Sequence, residues 1–299
     1  MVKEISSQFQ MKRIYISGCG GMLGEAFYSL LHDVHKLKCT DIDLNEDWLG
    51  YCDVRDFGAY RKSVIGYSPD VLIHLAALTD LEYCEEHQLE AYNTNTLAVE
   101  NAVHIANELG IPLVYISTAG IFSGEKYSYD DWDTPEPINI YGRSKYMGER
   151  FVVENSDAYL VCRAGWMMGG FHKDKKFVSK IMQQLHQDEI LAVNDKDGTP
   201  TYTYDFVRNL MFLLNSEKWG VYNMVCDGEA SRYDVAAEII KLTGSKAVLT
   251  AVNSYHFRDE YFAPRPASER LVCTKLKIRG LYMMRDWKFC LSEYIKSMK

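Results

Sequence analysis

No two of the eight cysteines form a CxxC pair, and the eight histidines show no HExxH or comparable spacing. These absences argue against a redox dithiol and a zinc site, so no metal is expected. Reduced, partly buried thiols in a cytosolic protein are the reading that remains. No stretch approaches the roughly 18 apolar residues of a membrane helix. The opening MVKEISSQFQ lacks a long apolar core and does not read as a secretory signal. A cytoplasmic location is therefore expected. Basic side chains are in deficit, 33 against 41 acidic ones, giving a net charge of -8. Such a chain is a poor electrostatic partner for nucleic acid or anionic lipid. Internal repeats and low-complexity segments are also missing. With 47% hydrophobic and 25% charged residues, the composition excludes a disordered chain or a fibre.

What is present is 299 residues, enough for about two domains and a core that needs no staples. Strand and helix patterns alternate from Lys12. Strands are expected at 14–17, 36–41, 49–54, 71–76, 113–117 and 158–163. The fourth, VLIHLA, is nearly all apolar, as for a strand buried on both faces. A long helix is expected from Leu89 to Glu108, ended by Gly110 and Pro112, and another over 141–153. This alternation predicts an α/β fold with a doubly wound parallel sheet of the Rossmann kind. Beyond Arg163 the pattern loosens, with helices at 175–187, 204–214, 232–243 and 286–297 and strands at 190–193, 221–225 and 247–251. The expected division is a tail over 1–10 and a dinucleotide-binding domain over 11–168, to which the chain returns at about 198–225. Residues 169–197 and 226–299 would form a smaller α/β substrate-binding lid.

The first strand runs into Gly18-Cys19-Gly20-Gly21-Met22-Leu23-Gly24, a GxxGxxG at the start of an amphipathic helix. Gly18 would permit the tight turn, Gly21 the approach of a pyrophosphate, and Gly24 close helix packing. The N–H groups of the helix start, at Met22 and Leu23, would face the phosphates. A merely structural turn is the alternative. Asp41 ends the second strand, where a carboxylate can accept from ribose hydroxyls or simply be solvated. Asp53-Val54 lies where an adenine edge could rest. Asp56 reads as a helix cap.

Tyr141-Gly142-Arg143-Ser144-Lys145 is a YxxxK, with tyrosine and lysine on one helical face. An ammonium near a phenol lowers its pKa, so the tyrosine can exchange a proton near neutral pH. Thr118 ends the preceding strand and could bond the same substrate oxygen. Thr118, Tyr141 and Lys145 are the catalytic candidates. His74 reads as a core histidine, Arg163 as a partner for a local carboxylate, and Asn95 as a bond to backbone near the site or a surface residue.

With these residues the chain resembles the extended short-chain dehydrogenases, and within them the dTDP-4-dehydrorhamnose reductase branch. The resemblance spans about 12–297 and includes HLAALTDLEYCE (74–85), YNTNTLAVEN (92–101), CRAGWMMGG (162–170), DGTPTYTYD (197–205), RPASERLVCTKL (265–276) and the Trp287 helix. It implies an NAD(P)H-dependent reductase of a nucleotide-linked 4-keto sugar. Tyr141 would be the proton donor; Lys145 would lower its pKa and bind the nicotinamide ribose. The resemblance also implies cofactor contacts at Ala76 and Ala77 and substrate contacts at Thr79, Trp166 and Arg265. Trp166 could equally be core, and the lysines of HKDKK (172–176) a solvated face or a diphosphate contact. The acids Asp41 and Asp43, with no base over 40–45, favour NADH over NADPH. A homodimer is one assembly the resemblance allows. Where the family has Asp-Tyr after its threonine, this chain has Ala119-Gly120. An acid and a ring are missing there. Either a bulkier sugar fits, or Tyr202 or Tyr204 refills the space. A nucleotide-sugar epimerase or dehydratase, and a cofactor-binding regulatory subunit without turnover, are the competing readings.

Overall fold

The computed structural model describes residues 11–298, so the expected tail at 1–10 lies outside the described residues. Seven strands form one parallel sheet: β1 (Arg13–Ser17), β2 (Lys36–Asp41), β3 (Leu49–Tyr51), β4 (Val71–His74), β5 (Leu113–Thr118), β6 (Tyr159–Ala164) and β7 (Gly220–Asn223). Their order is β7-β6-β5-β4-β1-β2-β3. The winding reverses between β1 and β4, which opens a crevice at the carboxyl ends of these strands. The main helices are α1 (Met22–Leu31), α2 (Phe57–Tyr67), α3 (Ala98–Leu109), α4 (Ile140–Asn155), α5 (Phe177–Gln184), α6 (Thr203–Asn215), α7 (Arg232–Thr243) and α8 (Trp287–Ser297).

Alternation along the strands builds a core on each face of the sheet. Ile14, Ile16, Ile73, Val114 and Leu160 pack with Phe27 of α1 and Phe206 of α6. Tyr15, Leu72, Tyr115 and Val161 pack on the other face with Tyr60, Val99 and Val103. Neither set of side chains can turn to water, so β4 needs apolar residues at successive positions.

Two local expectations change, and one helix, α2, is added. The helix drawn over 89–108 is broken: a short helix, Gln88–Tyr92, runs through a π-turn at Asn93–Leu97 into α3. The extra residue of a π-turn re-aims side chains, and here it carries the fully buried Asn95. Helix α2 shows no clear period because only Tyr60 and Val64 are buried, although Asp56 caps it as expected, accepting from Ala59 N–H at 3.0 Å. Strand β3 stops at Tyr51 rather than Val54, because Asp53 turns the chain by bonding the Arg55 N–H at 3.0 Å.

The chain returns to the sheet as β7, in register from Gly220 against Leu160 to Asn223 against Arg163. Outside the sheet, Trp166–Met168 pairs with Pro200–Tyr202, and Glu189–Val193 with Val248–Val252. Asp197–Gly198 lies between Ala230–Ser231 and Ser268–Glu269. That small sheet brings three distant segments beside Trp166. All eight cysteines are buried and unpaired. Among the described residues no helix is long and apolar enough to cross a membrane.

Candidate active site

The glycines do separate jobs. Gly18 has φ +73, and a Cβ there would lie 2.2 Å from Ala76 N. The turn thus presses onto the loop after β4. A Cβ on Gly24 would lie 2.1 Å from the Cys19 carbonyl oxygen, so α1 seats directly on the strand end. Gly21 has no atom within 4 Å of its Cβ position, and it caps α1 without a side-chain bond. The space beside Gly21 is therefore open at the start of α1, where the chain presents its first-turn N–H groups at Met22 and Leu23. Gly170 closes against Met22, where a Cβ would lie 2.7 Å from the Met22 Cα.

Asp41 leans into this turn. Its carboxylate accepts from Gly20 N–H at 2.8 Å and Asp43 N–H at 3.0 Å, and Asn45 donates to the Gly20 carbonyl at 3.1 Å. Asp53 is held differently from expectation: Arg55 forks onto its carboxylate at 2.7 and 2.9 Å and holds its pKa below the ordinary value. That leaves Val54, buried, as the apolar surface there. Ala76 and Ala77 are half-buried beside Gly18. Their loop is fixed by Asn95, which accepts from Leu78 N–H at 2.8 Å and donates to Leu78 O at 3.0 Å and to Ser144 Oγ at 3.1 Å. His74 is a core histidine bonded to Ser17 and Tyr60, its pKa pulled down to about 3 by burial.

At the end of β5, Thr118 accepts from Gly120 N–H at 3.1 Å, and its Oγ1 and the Tyr141 ring both border Gly120, at 3.5 Å and 3.4 Å from the position a Cβ would take there. Gly142 makes this meeting possible, since a Cβ there would lie 2.2 Å from the Gly120 carbonyl oxygen. Asn139 caps α4 by accepting from Gly142 N–H at 2.7 Å, and it donates to Pro264 O at 2.7 Å. Lys145 is buried, donates to Ile116 O at 2.7 Å and lies 4.2 Å from the centre of the Tyr115 ring.

The direction expected for the tyrosine is reversed. Burial raises Tyr141 to about 12, against the lowering effect of the neighbouring Thr118 hydroxyl, with a further push upward from Glu269. Burial pulls Lys145 down to about 7, partly opposed by Glu149. Desolvation outweighs the attraction that the YxxxK spacing suggests. Tyr141 is consequently a protonated phenol at neutral pH, poised to give a proton. Glu149 is itself forked by the buried Arg163, at 3.1 Å from Nε, so Arg163 has the carboxylate partner expected of it.

Two arginines exchange prominence. Arg265 is committed to Glu82 at 2.7 and 3.0 Å. Arg232, at the first position of α7, was not singled out from sequence; its guanidinium lies 3.6 Å over the Trp166 ring. Burial pulls the Arg232 pKa down to about 10. Trp166 donates from its indole to Glu269 at 2.8 Å, and a Cβ on Gly198 would touch the ring. Thr79 accepts from Lys176 at 3.2 Å. Tyr202 and Tyr204 do not refill the space at Ala119-Gly120. They stack on each other, with ring centroids 5.6 Å apart, and Tyr204 donates to Glu25. Glu269 borders that space instead, its Oε1 lying 3.5 Å from the position a Cβ on Gly120 would occupy. No local signal marks it, because Trp166 lies 103 residues away along the chain.

The sequence profile of the RmlD substrate binding domain matches residues 11–299. The chain belongs to this family. Crystal structures of dTDP-4-dehydrorhamnose reductases superpose over most of its length. The one from Clostridium acetobutylicum has a TM-score of 0.88 at 31% identity, covering 96% of this chain and 99% of that one. The one from Bacillus anthracis, in complex with NADP, has a TM-score of 0.88 at 28% identity, covering 96% and 100%. The Bacillus subtilis spore coat polysaccharide biosynthesis protein SpsK is 27% identical over 288 residues, 96% of this chain and 98% of its own length. The chain thus shares its overall fold with these reductases.

Proposed function

We propose that the protein is an NAD(P)H-dependent oxidoreductase of the extended short-chain type that reduces a nucleotide-linked 4-keto sugar in deoxysugar biosynthesis. The observation that carries this is the convergence of Thr118 and Tyr141 on Gly120 at the carboxyl end of β5, Oγ1 and Cε1 lying 3.5 Å and 3.4 Å from its Cβ position, with Lys145 on the same face of α4. The family relationship supports it, as does the dTDP-4-dehydrorhamnose reductase activity named for the relatives.

The residues fit a nicotinamide dinucleotide. The open space at Gly21, the uncapped start of α1 and the carboxylate of Asp41 at the end of β2 suit a diphosphate and a ribose. Ala76, Ala77 and Val54 would line its path, with Lys145 toward the nicotinamide ribose. When bound, such a cofactor supplies the hydride. The chain's own residues handle the oxygen. Thr118 and Tyr141 would orient the carbonyl by hydrogen bonds. As negative charge develops on that oxygen, the Tyr141 phenol transfers its proton to it. A protonated phenol suits this direction, because an alkoxide is a far stronger base than a phenolate. Lys145, when charged, would stabilise the phenolate left behind.

The substrate would lie between the nucleotide-binding part, 11–168 with β7, and the segments 169–197 and 226–299, near Thr79, Trp166 and Arg265. NADH should be accepted at least as well as NADPH. The acids at 41 and 43 disfavour a 2′-phosphate, while His172 and Lys173 are already paired with Glu46 at 2.9 and 3.3 Å. Steady-state oxidation of NADH and NADPH against a panel of nucleotide keto-sugars tests both points. Turnover with a 4-keto sugar and a kcat/KM for NADH equal to or above that for NADPH are expected. A strong NADPH preference would refute the cofactor assignment, and no turnover on any 4-keto sugar the activity.

A further inference from the structure

We propose that Glu269 sets sugar specificity: its carboxylate accepts a hydrogen bond from the hydroxyl on the carbon next to the carbonyl held by Thr118 and Tyr141. This rests on the reductase reading above. The position a Cβ on Gly120 would occupy is 3.4 Å from Tyr141 Cε1, 3.5 Å from Thr118 Oγ1 and 3.5 Å from Glu269 Oε1. Three polar residues from separate segments therefore border one small space, and Gly120 leaves it open.

The two carboxylate oxygens differ. Oε2 accepts from the Trp166 indole at 2.8 Å. Among the described residues, Oε1 has no hydrogen-bond donor, and it is the oxygen nearest Gly120 and the Thr118–Tyr141 pair. The residue is rigidly delivered. Ser268–Glu269 pairs with Asp197–Gly198, Ser268 Oγ donates to Tyr127 O at 2.6 Å, and Leu271 N–H donates to Thr199 Oγ1 at 3.0 Å. Arg232, stacked on Trp166, lies within electrostatic reach of Glu269 and fixes the ring that Glu269 holds.

An ionised carboxylate only accepts hydrogen bonds, so it needs a donor from the sugar and repels a carbonyl oxygen. In a 4-keto-6-deoxy sugar the neighbouring C5 bears no hydroxyl, whereas C3 does. Glu269 would thus fix the ring register by taking the C3 hydroxyl, leaving the keto oxygen to Thr118 and Tyr141. A site that bonds a substrate hydroxyl discriminates against an analogue lacking it.

The test compares wild type, Glu269→Ala and Glu269→Gln on dTDP-4-dehydrorhamnose and its 3-deoxy analogue, with binding of dTDP alone as a third readout. Hydrogen bonds to charged groups predict a loss of roughly 10- to 100-fold in kcat/KM for Glu269→Ala on the hydroxylated sugar, a smaller loss for Glu269→Gln, and about twofold or less on the 3-deoxy analogue. The affinity for dTDP should not change. Equal losses on both sugars, or a loss of dTDP affinity, would overturn the proposal. Trp166→Phe, which removes the indole donor, separates direct recognition from a clamp on the tryptophan. Retained preference for the hydroxylated sugar supports the proposal, and its disappearance overturns it. If the wild type reduces no keto sugar, the reductase reading fails, and binding of dTDP-glucose against its 3-deoxy analogue decides the role of Glu269. A wild-type preference abolished in Glu269→Ala supports it, and no preference overturns it.

Discussion

Around the glycine turn, the groups that meet come from adjacent strand ends: Gly18 and Gly24 after β1, Asp41 at the end of β2 and Ala76 after β4. Around Tyr141 they come from five scattered places, namely Thr118, the start of α4, Trp166, the first residue of α7 and Glu269. The first half follows from the topology of any doubly wound sheet. The second depends on a small sheet that gathers Gly198, Ser231 and Glu269. The glycine turn thus rests on adjacent strand ends, while the space beside Tyr141 is bordered by segments distant in the chain.

The comparison breaks most sharply at the proton donor. Tyr141→Phe keeps the ring and removes the acid, so turnover should fall by roughly 10²–10⁴-fold, the usual worth of a general acid. Cofactor affinity, measured by titration, should stay nearly the same because the glycine turn is untouched. Undiminished turnover would remove Tyr141 from the chemistry. A slightly smaller effect is expected beneath the site. Glu149→Gln leaves Arg163 buried without its carboxylate, and losing one partner of such a pair costs about 3–5 kcal/mol in a denaturant melt. A loss under about 1 kcal/mol would mean that water or relaxation replaces the pair.

The smallest effect is a pH shift. Lys145 is held at about 7 by burial, so its ammonium is present below that pH and lost above it. If the charged form supports catalysis, kcat/KM for the sugar should decline as pH rises through about 7. Because Glu149 favours the ammonium, Glu149→Gln should move this decline to lower pH. A profile flat through this range would show that the charge on Lys145 does not matter.

The same contrast explains what could be read before folding. The strands, the GxxGxxG and the YxxxK are contiguous patterns, and the structure places them within a few residues of their expected bounds. The π-turn at Asn93–Leu97 escaped because a single inserted residue barely disturbs helical periodicity. The commitment of Arg265 to Glu82 escaped because the two lie 183 residues apart along the chain; that of Asp53 to Arg55 is local, but it depends on the turn that ends β3 at Tyr51, which the strand pattern does not show. The raised pKa of Tyr141 escaped for a different reason: spacing reveals the nearby lysine, whereas burial, the larger influence, appears only when α4 is seated against Gly120. Glu269 was hidden in a late segment whose partners lie far back in the chain.

The most direct measurement of the central claim is the stoichiometry of cofactor oxidation with dTDP-4-dehydrorhamnose, followed together with the sugar product. A reductase built on Thr118, Tyr141 and Lys145 should oxidise one NADH or NADPH for each sugar converted, until the limiting partner is exhausted. Sugar conversion with the cofactor returned unchanged, or cofactor binding without any conversion, would contradict the account.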